Sequence, residues 1–253
     1  MILKSIIKRF SLIVACWLLV VSFRPISPDD WTSFDKEVMA KKLDEMNKGF
    51  KTMQNYSATM VHSSYEDYTS GTPHERSAGY FKREKNSYHS FVMGIHTIQN
   101  QDYRVVVDSA HGLIAVADPD NSFESVFTQT DYSTLLKMCS GIKQMQKDKE
   151  ITYRIEFAKK YPLSAYEITF DGKNLPEKIV MFYNKELKKQ NGLTTKPRAE
   201  ITLSNWKMNM AYNKDEFDGN KYLQKNGNGY SLKQPYLKKY KLLDQRVVTK
   251  QKS

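Results

Sequence analysis

Cysteine is scarce in this 253-residue chain, which contains only Cys16 and Cys139. Cys16 lies in an apolar N-terminal segment, and if this segment is removed no intramolecular disulfide can form. The fold must then be stabilised by its hydrophobic core. Cys139 shares helical spacing with Leu135, Met138 and Ile142 and has no evident catalytic partner, which indicates a small buried apolar residue rather than a nucleophile.

Catalytic and metal-binding motifs are absent as well. The histidines lack HExxH-type spacing, and no serine lies in a GxSxG motif. The adjacent carboxylates Glu66-Asp67 and Asp215-Glu216 would point apart in regular structure, which favours solvated loops. His89 and His96 flank a predicted strand, where a mononuclear metal site is an alternative to ordinary structural histidines. We therefore predict no catalytic residue, no metal and no cofactor, while a site assembled from residues distant in sequence stays open.

Long hydrophobic runs are limited to FSLIVACWLLVVSF, an uncharged stretch of about 14 residues near the N-terminus. A membrane-spanning helix needs roughly 20 residues. Basic residues precede the run, which is typical of a signal peptide. We predict that residues 1–27 are a signal peptide cleaved near Ser22, and that residues 28–253 are an exported, periplasmic domain with a C-terminal extension after about residue 211. An uncleaved N-terminal anchor and a lipidated Cys16 are the alternatives.

Acidic residues are fewer than basic ones, but the imbalance is local. The net charge of +11 arises mainly from residues 136–253, with 25 basic and 12 acidic side chains, whereas residues 28–135 have 10 and 16. Basic and aromatic residues alternate in RSAGYFKREKNSYHSF, residues 76–91, as in some single-stranded nucleic-acid platforms. Because alternate residues of a strand face opposite sides, and exported proteins rarely meet nucleic acid, we favour a two-faced strand and predict no nucleic-acid partner.

Two helices are predicted from hydrophobic spacing. The first covers Ser33–Met53, with Thr32 or Ser33 as its N-cap and Val38 in its apolar stripe. The second, central helix runs from Asp131 to about Lys147.

Strands are predicted on both sides of the central helix. Short alternating runs from Tyr56 to Asp118 predict a meander of about five antiparallel strands. After the central helix, ITYRIEFA at residues 151–158 alternates almost ideally and predicts a half-buried strand.

The order of exported signal, amphipathic helix, antiparallel meander, central helix and second meander resembles the periplasmic lipoprotein carriers of the LolA-like and LolB-like family. The residues that carry the resemblance are Phe34 to Tyr56, Gly79-Tyr80-Phe81-Lys82-Arg83 at the family's glycine-led second strand, and Val105-Val106-Val107-Asp108 with Leu113-Ile114-Ala115-Val116 at the hairpin after its third strand. The resemblance covers most of residues 34–210. Arg83 is followed by Glu84, where the family usually has an Arg-Pro dipeptide.

The resemblance implies an α+β fold in which a single open, strongly curved antiparallel β-sheet, a half-barrel, wraps around an N-terminal and a central helix. It also implies a non-enzymatic envelope protein that holds a lipid, a lipoprotein acyl chain or another apolar ligand on the concave side of the sheet. Adaptable methionine and amphipathic tyrosine suit such a cavity. The candidate lining residues are Phe91, Met93, Tyr103, Val105, Tyr153, Ile155 and Phe157.

Two other functions stay open from the sequence: a structural or assembly component of an envelope machine that keeps the fold without a ligand, and an exported hydrolase. A basic loop adds a candidate partner. Its Lys185, Lys188, Lys189 and Lys196 are candidate contacts to an anionic membrane surface or to another envelope protein, and ordinary solubility is the alternative.

Overall fold

The computed structural model describes residues 31–120, 132–188, 192–227 and 229–246. The chain divides into two units, Met1–Thr32 and Ser33–Ser253. The first unit lies outside the described residues except for Trp31 and Thr32, and so do the predicted signal peptide and its alternative of a lipidated Cys16. No helix in the described part of the chain is long and apolar enough to span a bilayer.

Strands make up about half of the described residues. They are β1 (Thr32–Ser33), β2 (Asn55–Tyr65), β3 (Glu75–Glu84), β4 (Ser87–Val92), β5 (Ile95–Gln99), β6 (Arg104–Asp108), β7 (Leu113–Ala117), β8 (Cys139–Lys147), β9 (Glu150–Phe157), β10 (Leu163–Phe170), β11 (Pro176–Tyr183), β12 (Leu187–Lys188), β13 (Thr194–Thr195), β14 (Arg198–Met208), β15 (Leu223–Asn226), β16 (Gly229–Leu232) and β17 (Lys241–Asp244). The helices are α1 (Lys36–Thr52), α2 (Tyr132–Met138) and the short 3-10 helices Lys214–Phe217, Gly219–Lys221 and Tyr236–Lys238.

One sheet of 13 strands has the order β1-β8-β9-β10-β11-β14-β2-β3-β4-β5-β6-β7-β17. The strands from β8 to β7 pair antiparallel with their neighbours. The last strand, β17, is parallel to β7, so the sheet is mixed and the prediction of a purely antiparallel sheet is wrong. A long connection separates β7 from β17, and only such a crossover lets two strands run in the same direction.

The meander predicted over residues 56–118 is confirmed, with six strands instead of about five. Strands β2 to β7 each pair with the next one along the chain. The alternation predicted for residues 151–158 is also confirmed, since Tyr153, Ile155 and Phe157 of β9 are buried on one face.

Helix α1 begins later than predicted. Its N-cap is Asp35, whose Oδ1 accepts hydrogen bonds from the backbone N–H groups of Glu37 at 2.8 Å and Val38 at 2.9 Å. Aspartate is among the best N-cap residues because its carboxylate satisfies backbone donors that the helix leaves unpaired. The predicted cap at Thr32 or Ser33 is therefore wrong. Val38 is 53% exposed, whereas the buried stripe of the helix is formed by Met39, Leu43 and Phe50.

The central helix is much shorter than predicted. Helix α2 ends at Met138, and the rest of the predicted helix is strand β8, while Asp131 lies outside the described residues. Ile142 of β8 pairs with Ile155 of β9. A Gly at position 141 costs a helix about 1 kcal/mol, and β-branched Ile142 suits a strand, so sheet pairing decides this segment. Cys139 is half-buried, and its thiol donates to the carbonyl of Leu136 at 3.1 Å.

The sheet buries apolar side chains on both faces. On the first, here called the α1 face, Met39, Leu43 and Phe50 of α1 pack with residues of β2, β3, β8, β9 and β10. Phe81 of β3 belongs to this cluster and pairs with Ser90 of β4. The neighbours of Ser90 on β4 therefore point to the opposite face, because successive side chains of a strand alternate.

The opposite face, here called the tail face, is covered by the C-terminal extension, residues 212–246. On this face of the sheet His89 of β4 pairs with Ile98 of β5, and Ile98 pairs with Val105 of β6. Ile98 and Val105 belong to a second buried cluster, which includes Tyr222 and Leu223 of the extension. The extension is therefore part of the core of the described unit.

Candidate functional site

Of the seven side chains predicted to line one apolar cavity, six are divided between the two faces and Met93 lies in a turn. Tyr153, Ile155 and Phe157 lie in the cluster of the α1 face, whereas Tyr103 and Val105 lie in the cluster of the tail face. Phe91 is half-buried on the tail face, with its ring centroid 6.2 Å from that of His96. Met93 is 53% exposed in the turn between β4 and β5. The structure thus brings these residues together in two groups rather than one.

Of the four predicted surface lysines, Lys188 lies in β12, which pairs with β13, while Lys185 precedes β12 and Lys196 follows β13. Lys185 and Lys188 are exposed, and Lys196 is half-buried. Lys189 lies outside the described residues.

A groove of about 740 Å³ lies between strands β2, β3 and β14 and the segment 210–216. Its wall on β14 is shaped by a bulge between Ser204 and Lys207, where Asn205 has a φ of +53°. The bulge directs Trp206 onto the α1 face, where its ring centroid lies 5.6 Å from that of Phe81. Phe81 and Trp206 thus line the groove although their rings pack in the cluster of the α1 face.

At its other end the groove meets a cluster of polar side chains on the tail face. This polar cluster consists of Tyr80, Lys82, His89, His96, Glu216 and Tyr222, and three of its members, Tyr80, Lys82 and Glu216, also line the groove. The first four members come from β3, β4 and β5, and the last two come from the extension. The cluster therefore joins the sheet to the segment that covers it.

Hydrogen bonds connect all six side chains of the polar cluster. Glu216 Oε1 lies 2.7 Å from both His89 Nδ1 and Lys82 Nζ. His96 Nδ1 lies 2.7 Å from Tyr222 Oη. The Nε2 atoms of His89 and His96 are in contact, and Tyr80 Oη lies 3.0 Å from the first and 3.4 Å from the second. A continuous path of hydrogen bonds thus runs from Glu216 to Tyr222.

Burial controls the protonation of this cluster. It lowers the pKa of His89, although Glu216 opposes that shift, and it lowers the pKa of His96 to about 4, with the positive charge of a protonated His89 adding to the effect. Burial alone would raise the pKa of Glu216, but hydrogen bonds from Lys82 and His89 outweigh it and lower the pKa. Burial also raises the pKa of Tyr222 to about 12. At neutral pH both imidazoles are neutral and Glu216 is ionised.

The sequence indicated only part of this cluster. His89 and His96 were considered as metal ligands, but Glu216 was expected in a solvated loop beside Asp215. That expectation is wrong, since the Glu216 side chain is 22% exposed and bonded to the sheet. No local pattern marks the approach of residue 216 to residue 89, which is why sequence reasoning missed it. Among the described residues, no three or more His, Cys, Asp or Glu side chains form a group that could hold a metal ion.

No family model and no curated protein sequence matches the chain. Three similar solved structures are a DUF1329 family protein from Desulfovibrio piger, a putative outer membrane lipoprotein-sorting protein domain from Vibrio parahaemolyticus and a LolA superfamily protein from Nitrosomonas europaea. Their identities are 11%, 11% and 7%, over 74%, 71% and 72% of this chain and 99%, 96% and 97% of theirs, with TM-scores of 0.29, 0.24 and 0.29. Two of them carry names of the lipoprotein-sorting family that the sequence resembles, but TM-scores this low carry no argument about function.

Proposed function

We propose that this chain is an exported, periplasmic and non-enzymatic protein of the cell envelope that binds a lipid, a lipoprotein acyl chain or another apolar ligand. The observation that carries the proposal is the groove beside β14, whose volume of about 740 Å³ falls within the range of small-molecule sites. The proposal keeps the ligand class expected from the sequence. It moves the site from the concave side of the sheet to this groove.

The lining of the groove suits an amphipathic ligand with an anionic head. The half-buried Tyr80, Met210 and Tyr212 offer apolar surface to the groove, and the flexible thioether of methionine adapts to ligands of different shape. Lys82 and Lys207 lie in the same groove. Lys82 is already paired with Glu216, so the exposed Lys207 is the cation that would meet a carboxylate or phosphate head.

Ligand titration tests this proposal. Purified chain is freed of lipid and titrated with oleate or with phosphatidylglycerol, while tryptophan fluorescence is recorded. Met210→Asp introduces a charge into the groove, and we expect it to weaken binding at least about tenfold, since each buried CH₂ contributes about 0.8 kcal/mol. Leu237→Asp, at a position that is 57% exposed and outside the groove lining, is the matched control.

Native mass spectrometry of the chain purified from its own envelope gives a second readout. The expected result is a co-purifying lipid that is absent from Met210→Asp. If no lipid co-purifies and neither probe binds, or if both variants bind equally well, the groove is not a lipid site.

A second candidate function is a structural or assembly component of an envelope machine. The burial of Tyr153, Ile155 and Phe157 beneath α1 favours it, because these side chains fill the α1 face themselves. In this case a lipid-free chain would retain one stoichiometric protein partner when purified from the envelope. Loss of that partner on adding lipid would instead support the carrier function.

As part of the first proposed function, Lys185, Lys188, Lys189 and Lys196 contact anionic membrane lipids. We expect the purified chain to co-sediment with phosphatidylglycerol vesicles at low salt and to dissociate at high salt, because each basic residue near the surface contributes about 1 kcal/mol and salt screens it. Gln at Lys185, Lys188, Lys189 and Lys196 should reduce binding. The control replaces four exposed lysines elsewhere, Lys159, Lys160, Lys173 and Lys225, by Gln. Equal loss in both variants would show a general effect of net charge.

A further inference from the structure

We propose that Tyr80, His89 and His96 form a binding site for one divalent transition-metal ion of the Zn²⁺ or Cu²⁺ type. The three side chains project from successive strands of the tail face. Tyr80 pairs with Phe91, and Phe91 pairs with His96, so that His89 is a diagonal neighbour of both Tyr80 and His96. The proposal goes beyond lipid binding and does not depend on it.

Three donor atoms converge in this arrangement. The Nε2 atoms of His89 and His96 are in contact, and Tyr80 Oη is within 3.4 Å of both. Imidazole nitrogen is the preferred ligand of Zn²⁺ and Cu²⁺ among neutral side-chain donors, and an oxygen donor completes many such sites. The third proposed donor is a phenol, so the donor set of Tyr80, His89 and His96 is not a group of three His, Cys, Asp or Glu side chains, of which the described residues form none that could hold a metal.

The outer nitrogen of each imidazole has its own partner. His89 Nδ1 lies 2.7 Å from the Glu216 carboxylate, and His96 Nδ1 lies 2.7 Å from Tyr222 Oη. Metal-ligating histidines almost always donate their other N–H to such a group, which fixes the ring and the tautomer. Both partners come from the C-terminal extension, so the extension orients the two Nε2 atoms toward a common point.

These contacts describe a metal-free arrangement. Because Zn–N bonds are about 2.0–2.1 Å long, the two Nε2 atoms must move apart to take one ion between them, and the proton positions change as well. Without metal, Tyr222 O–H donates to His96 Nδ1, His96 Nε2–H donates to His89 Nε2, and His89 Nδ1–H donates to Glu216. When a metal ion binds, it needs the lone pairs of both Nε2 atoms. The proton on His96 then moves from Nε2 to Nδ1. The Nδ1–H group donates to Tyr222 Oη, whose own O–H points away. No proton is released if Tyr80 binds as a phenol, and one is released if it binds as a phenolate.

Charges around the site both favour and oppose a cation. The ionised Glu216 carboxylate contacts Nδ1 of His89 and favours a cation at the Nε2 side of that ring. Lys82, which pairs with Glu216, and Lys221 nearby add positive charge that opposes the cation. We therefore expect one ion per chain, held mainly by the two nitrogens.

Metal titration of the full chain tests the site. The chain is treated with EDTA, dialysed and titrated calorimetrically with ZnCl₂ alone, and metal content is measured after removal of free ion. We expect one Zn²⁺ per chain, at least about 100-fold weaker binding in His96→Gln, and about 10–100-fold weaker binding in Glu216→Gln, which keeps both imidazoles but removes the carboxylate that orients His89. His74→Gln, at an exposed histidine outside the cluster, should bind as the parent chain does.

Spectroscopy provides a readout that does not depend on affinity. With CuSO₄, the electron paramagnetic resonance spectrum should show hyperfine coupling to two imidazole nitrogens, and to one in His96→Gln. Tyr80→Phe preserves the ring packing and should change the spectrum without changing the nitrogen count. Circular dichroism confirms that each variant is folded. Two results would overturn the proposal: no saturable binding at micromolar ZnCl₂, or unchanged binding in folded His89→Gln and His96→Gln. Either result would show that the two imidazoles form a hydrogen bond to each other and do not bind a metal ion.

Discussion

The α1 face and the tail face of the sheet are buried by different kinds of structure. A regular amphipathic helix covers the first, and its Phe50 packs against Tyr56 and Trp206 at ring-centroid distances of 5.7 and 5.8 Å. An irregular, tyrosine-rich extension covers the second, where apolar packing is combined with the polar cluster. One sheet can thus have an apolar side, which stabilises it, and a mixed side, which places polar and titratable groups together.

The two faces therefore depend on different interactions. On the α1 face stability comes mainly from apolar area removed from water, with Tyr153, whose pKa is raised by burial, as a titratable member of the cluster. On the tail face it also comes from close contacts and from hydrogen bonds to titratable groups, such as Tyr103 Oη, which donates to Asp218 Oδ1 at 2.7 Å. Substitutions on the two faces should consequently differ in size and in pH dependence.

The largest effect is expected on the α1 face. Phe50 is 1% exposed, and Phe50→Ala removes its ring and leaves a cavity, so the free energy of unfolding should fall by about 3–5 kcal/mol. Urea unfolding followed by tryptophan fluorescence measures the loss. Val38→Ala on the same helix, at a position that is 53% exposed, should change stability by less than about 0.5 kcal/mol. Similar losses in both variants would contradict the proposed orientation of α1.

A smaller loss is expected where the extension approaches the tail face. A Cβ atom at Gly219 would lie 2.8 Å from Val105 Cγ2 and 2.9 Å from Tyr103 Cε2. Gly219→Ala should therefore destabilise the protein by about 1–3 kcal/mol through overpacking. Hydrogen exchange should increase in β5–β7 and not in β9. Gly71→Ala, where an added Cβ meets no atom within 4 Å, is the control, and an equal effect there would refute the packing argument.

Alkaline pH should weaken the tail face. Burial, followed by the hydrogen bond to Asp218, raises the pKa of Tyr103 to about 12. Because the folded pKa lies above the unfolded value of about 10, the stabilisation is complete below pH 10 and is lost as pH rises through 12. We expect the unfolding free energy to drop by on the order of 1–2 kcal/mol across this window, and Tyr103→Phe to reduce the drop, since Tyr222, whose pKa is also raised to about 12, contributes to it as well. Tyr161→Phe, at a half-buried tyrosine of the α1-face cluster, should leave it unchanged.

The smallest effect concerns the start of α1. Asp35→Ala removes the side-chain acceptor for the N–H groups of Glu37 and Val38 and should cost about 1 kcal/mol. Asp35→Asn keeps a side-chain oxygen and should cost almost nothing. Thermal unfolding of the three chains measures the difference. If Ala and Asn were equally destabilising, the charge rather than the cap would stabilise the helix.

Much of the fold could be predicted because its signals are local. The stripe of Leu43 and Phe50 and the alternation of Tyr153 and Ile155 repeat with the periods of a helix and a strand, and both periods are visible in the sequence. Segment 139–147 shows the limit of this approach. Its apolar spacing fits a helix, but pairing with β9 makes it a strand, and no local pattern reports that pairing.

The candidate site was predictable only as a pair of histidines. His89 and His96 belong to adjacent strands of one hairpin, so their proximity follows from short-range pairing. Glu216 and Tyr222 arrive from more than 120 residues later in the chain, with separations of 127 and 126 residues from the histidines that they contact. Contacts of that separation are decided by packing of the whole unit, which composition and spacing do not encode.

By itself the sequence determined which segments bury apolar stripes, since hydrophobic periodicity is a property of neighbouring residues. Only the tertiary structure decided which face each strand presents to which partner. The register from Phe81 to Ser90 assigns the side chains of β4 to opposite faces, and the extension then covers the face that carries His89. Which face the extension covers depends on long-range contacts. The outcome places the predicted cavity residues on different faces and brings the polar cluster together.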